Sequence, residues 1–179
     1  MRLTPKQLTP RVILVGGSLS AALAVPVLAA APATMDVTIN IPQLKVAEYH
    51  RPYVAIWVEK AGAPTKTVAV WYDYDMKNNE GTKWLRDVRQ WWRASGRTMK
   101  FPANGISSAT RAPGAQKISF SRAQLGATAA GEYTLVIEAA REVGGRELLR
   151  IPFTWPAKAG AGGRAAGKTE LGAVTVAFR

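Results

Sequence analysis

Apolar and polar residues alternate along GEYTLVIEAAREVGGRELLRIPFTW, first at Tyr133, Leu135, Ile137 and Ala139, then at Leu149, Ile151, Phe153 and Trp155. A period of two places every second side chain on one face of an extended chain, a pattern that a 3.6-residue helix does not tolerate. Between the two runs stands Gly144-Gly145, which reads as a type I′ turn because two consecutive glycines accept the positive φ angles such a turn demands. A chain organised around such a hairpin is committed to antiparallel sheet.

The rest of the chain supplies further strands. TMDVTINI alternates Val37, Ile39 and Ile41 against polar neighbours and is ended by Pro42. RPYVAIWVEKAGAPTKTVAVWYDYD reads as two strands, Tyr53–Lys60 and Lys66–Tyr72, joined by a turn at Ala61–Pro64. On this pair Tyr53, Ala55, Trp57, Thr67, Ala69 and Trp71 are expected on one face, and Val54, Ile56, Val58, Val68 and Val70 on the other. Apolar residues on both faces call for cover on both sides, by a second sheet and by another element. The next segment, GTKWLRDVRQWWRAS, offers that element. Thr82 is a candidate N-cap and Gly96 follows the end, while Trp84, Leu85, Val88, Trp91 and Trp92 fall at helical spacing. Lys83, Arg86, Arg89 and Arg93 occupy the remaining surface, so an amphipathic helix of about three turns is predicted over Thr82–Ser95. Ile118 and Phe120 mark another strand, PAKAGAGGRAAGK reads as a flexible loop, and TELGAVTVAFR closes the chain as a last strand. The expected class is all-β, a β-sandwich with one inserted helix.

Ahead of the first strand, Arg2, Lys6 and Arg11 precede the apolar run VILVGGSLSAALAVPVLAAA, which ends in small residues at Ala29, Ala30 and Ala31. This is the three-part pattern of a secretory signal peptide over residues 1–31, leaving one domain over 32–179. Gly16, Gly17 and Pro26 interrupt the run and argue against an uncleaved membrane anchor. Removing the three leader bases from 24 Lys and Arg leaves 21 against 12 acids, a net charge of +9. An exported basic chain points to anionic small molecules, phosphate groups or membrane headgroups rather than nucleic acid. The absence of cysteine excludes disulfides, thiolate metal sites and Cys nucleophiles, and a single histidine, His50, excludes His-based triads. Asp73, Asp75, Glu80 and Asp87 do not have the spacing of a calcium loop. Glu138 and Glu142 are expected to pair across strands with Arg141 and Arg146. Six tryptophans are heavy for this length: Trp57, Trp71, Trp84 and Trp91 suit core packing. Alternatively Trp84 or Trp92 lines a slot for a flat ring, with Arg86, Arg89 or Arg93 nearby for an anion.

One connection is oddly made. FPANGISSATRAPG sets Ser107, Ser108, Ala109 and Thr110 between Gly105 and Arg111, either as a plain polar link or as a hydroxyl held out for attachment.

Together, the blocks RPYVAIWVEKAG, KWLRDVRQWWR, SSATRAPG, GEYTLVIEAAREVGGRELLRIPF and GKTELGAV resemble the family of predicted periplasmic proteins called domain of unknown function 2271. The resemblance spans nearly the whole mature chain and implies an immunoglobulin-like β-fold in the periplasm. It also implies a genomic association with PepSY-type membrane proteins and with FAD:protein FMN transferases. The acceptor pattern of such transferases, D-x-x-[ST]-[SG]-A-[ST], takes FMN through its phosphate on the final hydroxyl. Here the register is Asn104-Gly105-Ile106-Ser107-Ser108-Ala109-Thr110, departing from the pattern at Asn104, where aspartate is usual. The resemblance therefore implies covalent FMN on Thr110, with Arg111 placed to pair with the phosphate. It implies electron transfer to or from a PepSY-type membrane reductase. A non-flavin accessory module docking to that membrane protein through the basic helix is the alternative, and no residue set supports a hydrolase. Material recovered from the periplasm should begin between Ala30 and Ala33. N-terminal sequencing that returned Met1 from a cytoplasmic protein would contradict the leader.

Overall fold

Strand β1 (Thr34–Ile41) buries Met35, Val37, Ile39 and Ile41 and leaves their neighbours half-exposed, as its alternation requires. The coordinates are a computed structural model describing Met1 and residues 34–179, so the expected leader and its cleavage point lie outside the described residues. β1 pairs with β5 (Gly114–Ser121) and β9 (Ala173–Phe178), and β8 (Gly162–Ala166) completes a four-stranded sheet in the order β5-β1-β9-β8. The second sheet has five strands, ordered β4-β3-β2-β6-β7. These are β2 (Tyr53–Glu59), β3 (Lys66–Tyr72), β4 (Ser107–Ala109), β6 (Gly131–Ala140) and β7 (Arg146–Trp155).

Met35, Ile39 and Phe178 from the smaller sheet share one apolar cluster with Val54, Ile56, Leu135, Ile137 and Ile151 from the larger. The opposite face of the larger sheet carries Tyr53, Ala55, Trp57 and Val136, and it is closed by Leu85, Val88 and Trp91. The expected cover on both faces is therefore present, and the β6–β7 hairpin pairs in register from Gly131↔Trp155 to Ala140↔Arg146.

Several details differ from the sequence reading. Ile56 faces Ala69 while Trp57 faces Thr67, so Val68 is an extra residue in β3. One inserted residue exchanges the faces beyond it. Val68, Ala69 and Trp71 consequently pack between the sheets, while Val70 and Tyr72 join Trp57 in the outer layer. The Gly/Ala-rich stretch expected as loop contains β8, because bare glycine backbone is needed there: a Cβ on Gly162 would meet the Val176 carbonyl, and one on Gly163 the Ile151 side chain. The hairpin turn is not a two-glycine type I′ turn. Its positive φ falls on exposed Val143 (φ 50°), and the turn runs through residues 141–145. Gly144 and Gly145 are small for another reason: a Cβ on either would press into the Arg141 guanidinium or the Glu170 carboxylate.

The predicted three-turn helix is broken. Lys77–Asp87 is a 3-10 segment with Asn78 and Asn79 in left-handed geometry, and helix α1 covers only Arg89–Ala94. Thr82 does not cap it; its Oγ1 donates to the Asn79 carbonyl at 2.7 Å. The cap is supplied from β6. Fully buried Glu138 accepts from the Gln90 and Trp91 amides at 3.1 and 2.9 Å and from Arg146 Nη1 at 2.7 Å. The carboxylate satisfies amides that a helix start leaves unpaired, and this fixes where α1 begins. The expected faces hold: Leu85, Val88 and Trp91 are buried, and Arg86, Arg89 and Arg93 are exposed. Gly96 follows because a Cβ there would lie 2.9 Å from both the Trp91 and Trp92 rings. The single-turn helix α2 (Arg122–Leu125) is closed by a reciprocal Ser121–Gln124 capping box.

β7 is tied to the turn before β9 by Glu147, which accepts from the amides of Lys168, Thr169 and Leu171 at 2.6, 3.0 and 2.9 Å. Burial alone would raise this carboxyl, but the three amides together outweigh it and hold its pKa below the usual 4.5. A depressed folded-state pKa contributes stability that is present above pH 4.5 and is lost as pH falls through the folded value. Glu147→Gln should thus be less stable than wild type at pH 7 in urea melts, and the gap should narrow in acid. A gap that widens in acid would reverse the assignment.

Candidate functional site

The larger sheet ends in a cleft. The start of β2, the ends of β3 and β6 and the residue after β4 meet there, because Tyr53 pairs with Ala140 and Val54 with Trp71. The connection between β1 and β2 adds Tyr49, His50 and Arg51, and the 3-10 segment adds Trp84 and Asp87. Asp73, Thr110, Arg141 and Glu142 complete a lining that encloses about 320 Å³.

Hydrogen bonds fix the walls. The Tyr53 hydroxyl contacts Asp73 Oδ2 at 3.1 Å and the Gly81 carbonyl at 3.0 Å, and burial drives its phenol pKa well above the ordinary value. Gly81 allows this approach, since a Cβ would collide with the Asp73 carbonyl oxygen. Burial also raises the Tyr49 phenol, an effect that Arg141 partly offsets. Both tyrosines thus line the cleft in neutral form. His50 is half-buried between Glu48 (3.0 Å from Nε2) and Glu142 (3.5 Å from Nδ1).

Arg141 is the most constrained of the group. Its side chain is 6% exposed, with Nε on Glu170 Oε2 at 2.9 Å and Nη2 on Oε1 at 3.1 Å. Glu170 is itself buried and also accepts from the Gly145 amide at 2.8 Å. The remaining guanidinium nitrogen, Nη1, is buried with no hydrogen-bond partner among the described residues. Arg141 therefore pairs with Glu170 rather than with a strand neighbour, whereas the expected cross-strand pair Glu138–Arg146 forms at 2.7 Å.

The hydroxyl-rich stretch is not a free loop. Ser107–Ala109 is β4, pairing parallel with Val70–Tyr72, and the Thr110 amide donates to the Tyr72 carbonyl at 3.0 Å. Backbone groups at the edge of β3 would otherwise go unpaired, and the small side chains let this segment take the place of a strand. Ser107 Oγ accepts from the Ala103 amide at 2.9 Å and closes the preceding turn. Thr110 is half-buried on the lip of the cleft, its Oγ1 3.5 Å from Asp73 Oδ1, a contact at the long limit of hydrogen bonding. On its other side lies a shallower groove that Thr110 and Ala109 share with Arg51, Tyr72, Asp73 and Met76. The structure therefore separates the sequence-predicted residues. Asn104 and Gly105 line a different groove with Lys66 and Gln124. Arg111 lies over the Trp71 ring, 5.3 Å from its centroid, and is not among the residues that line the cleft.

Trp84, expected in the core or alternatively in a slot, lines the cleft, where the cations with it are Arg51 and Arg141; Arg86, Arg89 and Arg93 are not among its lining. Sequence reasoning missed Tyr49, Arg51, Tyr53, Asp73 and Arg141 as site residues. The available signal was Gly144-Gly145 beside Arg141, a glycine pair making room for a buried guanidinium.

The molecule is a mostly β, two-sheet domain with an aromatic, mixed-charge cleft at one end of its larger sheet, and no helix among the described residues is long and apolar enough to cross a membrane. The chain belongs to the family described as "Predicted periplasmic protein (DUF2271)", which matches residues 34–173, and it is a periplasmic protein. No curated protein and no solved structure matches it.

Gly81→Ala should force the 3-10 segment off Asp73 and lower stability by about 1–3 kcal/mol, as overpacking does. Urea denaturation would measure this; an unchanged midpoint would mean that the Gly81–Asp73 approach is not a constraint.

Proposed function

We propose that this protein is a periplasmic electron carrier that holds FMN through a phosphodiester on Thr110. The observation that carries the reading is the position of the Thr110 hydroxyl: the last residue of an acceptor-like sequence stands on the lip of an aromatic cleft, against Asp73. The residues fit a tethered flavin. A small-residue strand edge lets a transferase approach the hydroxyl. Arg51 borders Thr110 in both adjoining depressions and can face a phosphate. Arg141 also lines the cleft, with its Nη1 buried and unpartnered.

In the attachment step, Thr110 Oγ forms a bond to the FMN phosphorus of FAD, the pyrophosphate bond breaks, and AMP leaves. The hydroxyl proton passes to a base, with Asp73 holding the hydroxyl by its proton beforehand. Once attached, the flavin supplies the redox chemistry. The chain's own part is to hold and orient it. The two sheets, read as an immunoglobulin-like sandwich, form the rigid support. The partners under this reading are an FAD:protein FMN transferase and a PepSY-type membrane reductase. Exposed Arg86, Arg89 and Arg93 favour a second reading, in which the domain carries no flavin and docks to that membrane protein through this basic face.

Co-expressed with a flavin transferase and exported, the protein should gain the mass of FMN less water and fluoresce on a denaturing gel. Thr110→Ala should abolish both signals, Ser107→Ala should reduce them, and Asn104→Asp should raise the modified fraction. A wild-type protein left unmodified beside an active transferase would overturn the flavin reading in favour of the docking module.

A further inference from the structure

The cleft behind Thr110 has a lining that selects a ligand class. Tyr49, Tyr53 and Trp84 give it aromatic walls. Three carboxylates, Asp73, Asp87 and Glu142, face it alongside His50, Arg51 and Arg141. Arg141 is already neutralised by its bidentate contact with Glu170, so the cleft has no surplus of positive charge. A free anion would meet these carboxylates and is disfavoured. Yet Arg141 Nη1 is buried and unpartnered, closed to water in the cleft as it stands, so its desolvation is uncompensated until the wall shifts to admit an acceptor. An unused donor and carboxylate acceptors beside aromatic faces match a neutral, planar heterocycle whose edge alternates carbonyl and N–H groups.

From this we infer that the cleft is a seat for such a ring, which stacks against Trp84 and directs a carbonyl toward Arg141 Nη1. The inference deepens the reading above. It rests on that reading for naming the ring as the isoalloxazine of the tethered flavin, and on the lining alone for the seat. Seating would bury the ring beside Trp84 and place a guanidinium at its carbonyl edge, where charge tunes a flavin's electronics.

The test uses unmodified protein carrying Thr110→Ala, titrated into riboflavin, which has the ring and no phosphate. Saturable quenching of riboflavin fluorescence is expected, since stacked aromatic side chains quench it. Adding Trp84→Ala should weaken binding by about five- to tenfold, the scale of an aromatic pair. Because Arg141 alone cannot be removed without stranding buried Glu170, the paired variant Arg141→Gln/Glu170→Gln serves instead. Once its melting curve shows that it is folded, it should weaken binding by about tenfold or more. Inorganic phosphate should not compete.

Competition by phosphate, absence of saturable quenching, or binding indifferent to both variants would overturn the seat. Failure of the two readings is distinguishable. Riboflavin binding without attachment at Thr110 would remove the tether and keep the seat. Attachment with a ring as fluorescent as free FMN would keep the tether and remove the seat.

Discussion

A sheet with apolar side chains on both faces cannot leave either face in water, and the rest of this structure answers that constraint. β2 is buried along nearly its whole length, from Tyr53 to Val58. One side is met by the four-stranded sheet. The other demands the connection after β3, which crosses the sheet with Leu85, Val88 and Trp91 turned inward before the chain returns as β4. That crossing brings Trp84 and Asp87 to the end of the sheet. It also sets β4 parallel to β3, so that Thr110 emerges beside Asp73. The cleft is thus a product of closing the outer face.

Two buried carboxylates hold this arrangement, and both act on backbone amides as well as on a cation. Glu138 receives the first amides of α1 and Arg146; Glu170 receives the Gly145 amide and Arg141. A buried charge survives when its lone pairs are filled by good donors, and removing one partner costs more than the pair is worth. The consequences differ in kind. Glu138 determines where the covering helix starts, whereas Glu170 holds a guanidinium rigid at the edge of the cleft.

Much of the sheet was legible in the sequence because its signal is local. The alternation in Met35–Ile41 and in the β6–β7 hairpin leaves little choice of face, and the double-sided apolarity of β2 correctly called for two covers. The bulge at Val68 was illegible because Val68 and Ala69 are both small and apolar, so the sequence shows an unbroken alternation there. The helix was overextended for a similar reason. Trp84, Leu85, Val88, Trp91 and Trp92 keep helical spacing, but the break at Val88 follows from a carboxylate that lies 47 residues beyond the Trp91 amide it binds. Of the site, Thr110 and Trp84 carried a sequence signal. Arg51 and Asp73 become neighbours only through strand pairing, which leaves no local mark, and the only local trace of Arg141 is the Gly144-Gly145 pair that makes room for it.

The brevity of β4 has a kinetic consequence. This strand is three residues long, lies at the sheet's edge and is hydrogen-bonded to β3 alone. Ser107, Ser108, Ala109 and Thr110 are only half-buried, so lifting them away uncovers little of the apolar interior. Such an opening is decoupled from unfolding of the domain and draws on the low end of the range of local stabilities. Any enzyme acting on this segment can therefore take a finished, folded protein as its substrate. Under the proposed attachment at Thr110, modification need not compete with folding and can wait until the chain has crossed the membrane.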